Sequence, residues 1–198
     1  MKLYSGPASG NSYKARLLLA LTGIEYELAS LNLQKGEQKS PKFLKINPRG
    51  QVPALIDGDV TVWDSQGIIT YIALKYAPDW LPLDPKHMGK IMQWMAFAEN
   101  ECLYGMARSR AVVRINRPWN LEETQAHGEA GLKIINAHLQ GRQWLVGQMP
   151  TLADIACFPY VALAPEGNLL LDGYAGIQAW ISRIKALPGF VGMPGIDP

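Results

Sequence analysis

The apolar pattern of this chain changes period once, and the change falls on a proline-rich stretch, "APDWLPLDP" (77–85). Before it, short alternating runs and short helical runs follow one another. After it, apolar residues recur at helical spacing and no convincing strand appears. A chain so divided predicts an α/β layer followed by an all-helical unit: residues 1–78, a linker over 79–85, and residues 86–198.

In the first part "KLYS" reads as a strand and Tyr13 to Thr22 as a helix closed by Gly23. "IEYELAS" alternates as a strand does, and "KFLKI" is a short helical turn stopped by Asn47-Pro48. Val52–Ile56 and Val60–Trp63 flank Asp57-Gly58, a pair suited to a tight hairpin turn. Asp64 and Ser65 then offer a cap to "QGIITYIALKY", where Ile68, Ile69, Ile72 and Tyr76 share a face. The order β-α-β-α-β-β-α implies a mixed sheet. In the second part "GKIMQWMAFAENECLYGMARSRAV" reads as one long helix, followed by "LEETQAHGEAGLKIINAHL", "TLADIACFPYVAL" and "GIQAWISRIKAL". Thr151 and Asp154 stand at capping-box spacing before the third of these, with Met149 as a staple upstream.

Bulk properties narrow the function. A net charge of +2 on 198 residues, with cations scattered, gives no nucleic-acid groove. Arg108, Arg110 and Arg114 are the one local excess and read as a solvated helix face. No apolar run reaches the roughly 18 residues of a membrane span, and "MKLYSG" enters a strand at once, leaving no room for a signal peptide. Cys102 and Cys157 lie in apolar helical patterns as small hydrophobes, a usage that suits a reducing compartment. These features lead to the expectation of a soluble, cytoplasmic protein.

Three stretches, "NPRGQVPALIDGDVTVWDSQGIITYIALKY", the first helix with its loop "SGPASGNSYKARLLLAL", and "WLVGQMPTLADIACFPY", resemble the cytosolic glutathione S-transferases. The likeness covers nearly the whole chain, with nu-like and zeta-like features in the N-terminal loop. It implies a thioredoxin-like α/β N-terminal domain, an all-α C-terminal domain, a homodimer, and glutathione as co-substrate without a metal. It implies transfer of the glutathione thiolate to a small hydrophobic electrophile. A nu-like disulfide or peroxide reductase and a non-catalytic binding protein are the alternatives.

The resemblance places the γ-glutamyl carboxylate at the Asp64-Ser65 corner, on the Ser65 hydroxyl and amide at a helix N-terminus where free N–H groups favour an anion, and offers Asp64 as partner of the neighbouring ammonium. It makes Val52-Pro53 a cis-proline turn that pairs with the cysteinyl backbone. It gives the glycine carboxylate to Gln38 or Lys39, with Gln51 as an addition. For the sulfur it offers Ser9 first, then Asn11, with Ser12 close behind; Tyr13 faces the core or an interface. A thiol of pKa near ~8.5 needs about 2.7 kcal/mol to drop two units. A hydroxyl hydrogen bond to the charged sulfur supplies about 1.5–3 kcal/mol, and a helix N-terminus about 0.3–1 kcal/mol more. Tyr104, Arg108 and Trp119 are candidate walls for the second substrate.

Overall fold

The structure, a computed structural model, describes residues 1–197. Four short strands, β1 (Lys2–Ser5), β2 (Glu27–Ser30), β3 (Ala54–Asp57) and β4 (Val60–Trp63), form one sheet in the order β2-β1-β3-β4. β1 runs parallel to β2 (Leu3 opposite Leu28) and antiparallel to β3 (Leu3 opposite Leu55), and β3 turns back onto β4. The sheet is therefore mixed, as the element order requires.

Strand periodicity sorts the side chains of β1 onto two faces. Leu3 points to the layer formed by α1 (Gly10–Leu21) and α3 (Ser65–Tyr76), where Leu17, Leu18, Ile68, Ile69 and Ile72 are fully buried. Tyr4 points to the other side, its ring 5.7 Å from that of Phe43 on the short α2 (Pro41–Leu44). α1 starts three residues before the predicted Tyr13, because the Ser9 hydroxyl caps it by accepting from the Ser12 N–H (3.2 Å). Gly23 does adopt a left-handed φ of 65° beyond its end. The hairpin turn is shifted by one residue: Asp57 pairs with Val60, so Gly58-Asp59 is the loop, with φ 63° at Gly58.

Asp57 does further work at the end of β3. Its Oδ2 accepts from Tyr71 and Lys75 (both 2.8 Å) and from Tyr76, tying the hairpin to α3. The Lys75 ammonium, then the Tyr76 hydroxyl, hold this carboxyl well below the usual carboxylate range. A depressed folded value contributes stability above the unfolded pKa of about 3.9 and loses it as pH falls toward the folded value. Thermal denaturation from pH 6 to pH 2 is thus expected to show Asp57→Asn less stable than the parent at pH 6. The gap should close below about pH 4. A gap independent of pH would sink the assignment.

The helical half is α4 (Pro85–Phe97), a π-helical segment (Ala98–Ala107), α5 (Arg108–Ile115), α6 (Leu121–His138), α7 (Leu152–Ala162) and α8 (Ala175–Lys185). The predicted single long helix is thus interrupted by wide turns. Gly105 sits in them: a Cβ built there would lie 2.4 Å from the Gly128 backbone nitrogen on α6, so the two backbones touch with no room for a side chain. The Ser109 hydroxyl donates to the Gly105 carbonyl (2.9 Å), and the Arg108 N–H reaches back to Leu103, five residues away. Apolar spacing alone does not distinguish such turns from α-helix.

α7 is buried from Leu152 to Val161 and packs against α1, α3 and α4, so one core joins the two halves. Its capping box is formed, but the expected staple is not. Met149 is 70% exposed, since Pro150 takes the place next to the cap. The expected solvated face at Arg108, Arg110 and Arg114 holds only for Arg114, whose side chain is 58% exposed. Arg110 is only 15% exposed, where its Nε binds Glu166, while Arg108 turns toward the cleft described next. Cys102 and Cys157 are free, buried and close enough to interact, and burial raises the Cys157 thiol pKa. No helix among the described residues is long and apolar enough to cross a membrane.

Candidate functional site

A cleft of about 510 Å³ lies where the N-termini of α1 and α3 meet the π segment and α5. Nine of the ten predicted residues line it: Ser9, Asn11, Gln38, Lys39, Gln51, Val52, Pro53, Asp64 and Ser65. Ser12 does not. It is fully buried, and its hydroxyl accepts from the Gly6 N–H (3.1 Å), so it faces the protein interior. Tyr13 is buried too, with its hydroxyl donating to Val191 O (2.6 Å).

At the α1 end, the Ser9 oxygen uses a lone pair to cap the helix, which leaves its proton free to donate. Asn11 Oδ1 is buried without a partner. Tyr160 on α7 closes this corner, its ring against Gly10, and burial pushes its phenol up to about 12, so it stays protonated at neutral pH.

At the α3 end, Asp64 is held at φ 76° and ψ 135°, a conformation rare outside glycine and of the kind that gathers at ligand sites. Its Oδ1 accepts from the Gln66 N–H (3.0 Å) and its Oδ2 from Arg49 (2.9 Å), so both carboxylate oxygens are engaged. Ser65, the first helical residue, is 2% exposed and its hydroxyl has no partner. The Val52-Pro53 bond is cis. The preceding loop is clamped by Asn47, whose Nδ2 donates to Gln51 O (2.7 Å) and whose Oδ1 accepts from the Arg49 N–H (3.0 Å). Lys39 Nζ donates to Arg49 O (3.2 Å), and Gln38 Oε1 is buried and unpartnered.

Glu99 is a cleft residue that sequence reasoning missed. Its Oε1 accepts from the fully buried Lys14 (2.9 Å) and from Gln66 Nε2 (2.8 Å), and the side chain remains 31% exposed. A signal existed, for Lys14 stands on the apolar face of α1 among Tyr13, Leu17 and Leu18, and a buried lysine demands an anion. Asn47, read only as a helix stop, was missed as the clamp of the loop. On the far wall lie Leu103, Ala107, Arg108, Ala111, Ile115, Arg117 and Trp119. Tyr104 stands behind Arg108 rather than in the lining.

A larger apolar cavity of about 780 Å³ opens elsewhere, between Trp80, His87, Val146 and Met149, and holds none of the predicted residues. Buried polar groups without partners are the more telling sign of a ligand site. Six such side-chain atoms occur among the described residues, and those of Asn11, Gln38 and Ser65 belong to the smaller cleft.

Comparison with known proteins agrees in both halves. The family model "Glutathione S-transferase, N-terminal domain" matches residues 1–74, and "Glutathione S-transferase, C-terminal domain" matches residues 119–188. Glutathione S-transferase 3 of Zea mays is 31% identical, over 96% of this chain and 91% of its own. Maleylacetoacetate isomerase of Pseudomonas aeruginosa is 30% identical, over 96% and 93%. The crystal structure of a glutathione S-transferase from Pseudomonas fluorescens superposes with a TM-score of 0.90 at 30% identity, covering 97% of this chain and 98% of the other. This chain belongs to the glutathione S-transferase family.

Proposed function

We propose that the protein binds glutathione in the smaller cleft and transfers its thiolate to an electrophilic carbon. The unsatisfied buried atoms of Asn11, Gln38 and Ser65 around one cleft carry this reading. The γ-glutamyl carboxylate meets the Ser65 hydroxyl and the free N–H groups of α3. The neighbouring ammonium lies between Asp64, whose oxygens keep acceptor capacity beyond Arg49 and Gln66, and the exposed side of Glu99. The cysteinyl backbone lies along Val52, whose N–H and C=O make no hydrogen bond among the described residues. Lys39, Gln38 and Gln51 receive the glycine carboxylate.

The sulfur sits at the N-terminus of α1, where the Ser9 proton and the helix dipole favour the thiolate. Attack forms the carbon–sulfur bond as the leaving group departs with its electron pair, giving a thioether. The paired positions of Ser9 and Asn11 in the cleft also favour a second reading, reduction of disulfides or peroxides by the same thiolate.

The test is titration of glutathione followed by thiolate absorbance across pH, in the parent and in Ser9→Gly. Glycine is nearly as good a helix cap, so the helix survives while the hydroxyl is lost. The pKa of bound glutathione is expected to lie about two units below its free value in the parent and to rise by one or more in the variant. No binding by the parent would refute the function. An unchanged pKa in the variant would remove Ser9 from its role.

The exposed apolar side chains Trp63 on β4, Leu74 on α3 and Met92 on α4 support a homodimer. Sedimentation should then give about twice the 21.8 kDa chain mass; a monomer at micromolar concentration excludes it.

A further inference from the structure

Four arginines come from α5 and the loop after it. Glu166 takes two of them, Arg110 through Nε and Arg114 through Nη1 at 3.7 Å, and Arg110 also donates to Ala8 O (3.1 Å). Arg108 and Arg117 have no carboxylate partner among the described residues, and both line the cleft.

Arg108 is held by rings instead of ions. Its guanidinium carbon is 3.9 Å from the Tyr104 ring centroid and 5.0 Å from that of Trp119. Contacts of this kind fix the plane of a guanidinium through its faces and leave the in-plane N–H donors available. None of those donors makes a hydrogen bond among the described residues. A flat, oriented, unspent fork of donors matches a carboxylate, which accepts two parallel bonds from it.

The surrounding charge points the same way. The cleft carries Lys39, Arg49, Arg108 and Arg117 against Asp64 and Glu99, and both acids already have partners in Arg49 and Lys14. That leaves Lys39, which the reading above gives to the glycine carboxylate of glutathione, and two cations on the α5 side, Arg108 and Arg117, with no assigned anion. The same segment also contributes apolar lining to the cleft, from Leu103, Ala107, Ala111 and Ile115.

Resting on the glutathione reading above, we propose that the second substrate is a planar, apolar electrophile bearing a carboxylate. That carboxylate docks on Arg108, with Arg117 at the rim, and the flat body lies against Trp119 and the apolar wall. This narrows the expected hydrophobic electrophile to an anionic one.

The probe is 4-chloro-3,5-dinitrobenzoate against its methyl ester. The thiolate attacks the chlorine-bearing carbon, the ring electron pair moves onto the nitro groups, then returns as chloride leaves with its bonding pair. The protein should favour the acid over the ester about tenfold in kcat/KM, corrected for the uncatalysed rates. Arg108→Gln should bring that ratio close to one, with Arg117→Gln shifting it less in the same direction. A parent ratio at or below one, or a ratio that neither variant alters, overturns the proposal.

A companion titration omits glutathione: 3,5-dinitrobenzoate and its methyl ester are each followed by quenching of tryptophan fluorescence. Tighter binding of the acid, lost in Arg108→Gln, supports the anion site even where glutathione fails to bind, in which case only the functional reading falls. Glutathione binding without acid preference sinks this inference alone.

Discussion

Replacing Asp154 with alanine is expected to cost at least about 3 kcal/mol, because it strands several buried donors that each cost roughly 1–3 kcal/mol when left unpaired. The side chain is completely buried, and four donors converge on it. Oδ1 accepts from the Leu145 N–H (3.0 Å) and the Trp180 indole (2.8 Å); Oδ2 accepts from the Thr151 N–H (2.9 Å) and hydroxyl (3.3 Å). Alanine strands all four donors where water does not reach, each at a cost of roughly 1–3 kcal/mol before relaxation. The loop before α7, the helix itself and α8 would lose their common anchor.

Asparagine is a sharper probe. It keeps the shape but turns an NH₂ group toward donors, so it should destabilise by an intermediate amount. Urea denaturation measures both variants; a loss under 1 kcal/mol for alanine would show that the site is wetter than the packing implies. Burial raises the Asp154 pKa despite these donors. With a raised folded value, ionisation weakens folding as pH rises above the usual carboxylate range. The carboxylate organises α7 and also carries a penalty that its neighbours must offset.

Ser65→Ala is expected to lower glutathione affinity roughly 10- to 100-fold, corresponding to about 1.5–3 kcal/mol for a hydrogen bond to a charged group. The stability change should have the opposite sign or be close to zero. The hydroxyl is buried and makes no bond within the protein, so alanine removes an unsatisfied group instead of breaking a contact. Calorimetric titration and thermal denaturation of the same variant separate the two effects. Loss of affinity together with loss of stability would mean that the hydroxyl serves the fold. Unchanged affinity would mean that the carboxylate of glutathione lies elsewhere.

Much of this was legible from residue order. The mixed sheet followed from the spacing of short alternating and helical runs, and the capping box from two residues three apart. The cleft residues came through a family likeness, since no spacing rule links Gln38 to Ser65. What escaped has physical reasons. Ser12 and Ser9 are both hydroxyls at a helix start, and only the direction of each side chain decides that one caps toward the cleft while the other bonds inward to Gly6. The turn at Gly58-Asp59 differs from the expected pair by one register step, and both alternatives place glycine in the loop. The π segment keeps apolar residues at nearly helical spacing, so only the backbone reveals the wider turns.

Lys14 and Glu99 were separately visible as charges amid apolar residues, 85 positions apart. Their partnership across the two halves was not, because nothing local pairs them.

The glycine-to-glycine contact of Gly105 with Gly128 divides the labour around one helical axis. The inward side carries the buried Met106 and Ser109 together with Gly105, where backbone presses on backbone and a Cβ has no room. On the side that looks into the cleft, Leu103 and Ala107 still pack against the core, while Ala111 and Ile115 do not. Descendants of this sequence can therefore explore new chemistries by exchanging Ala111 and Ile115 while the scaffold beneath stays unchanged. Innovation and foldability are inherited on separate faces of a single rod.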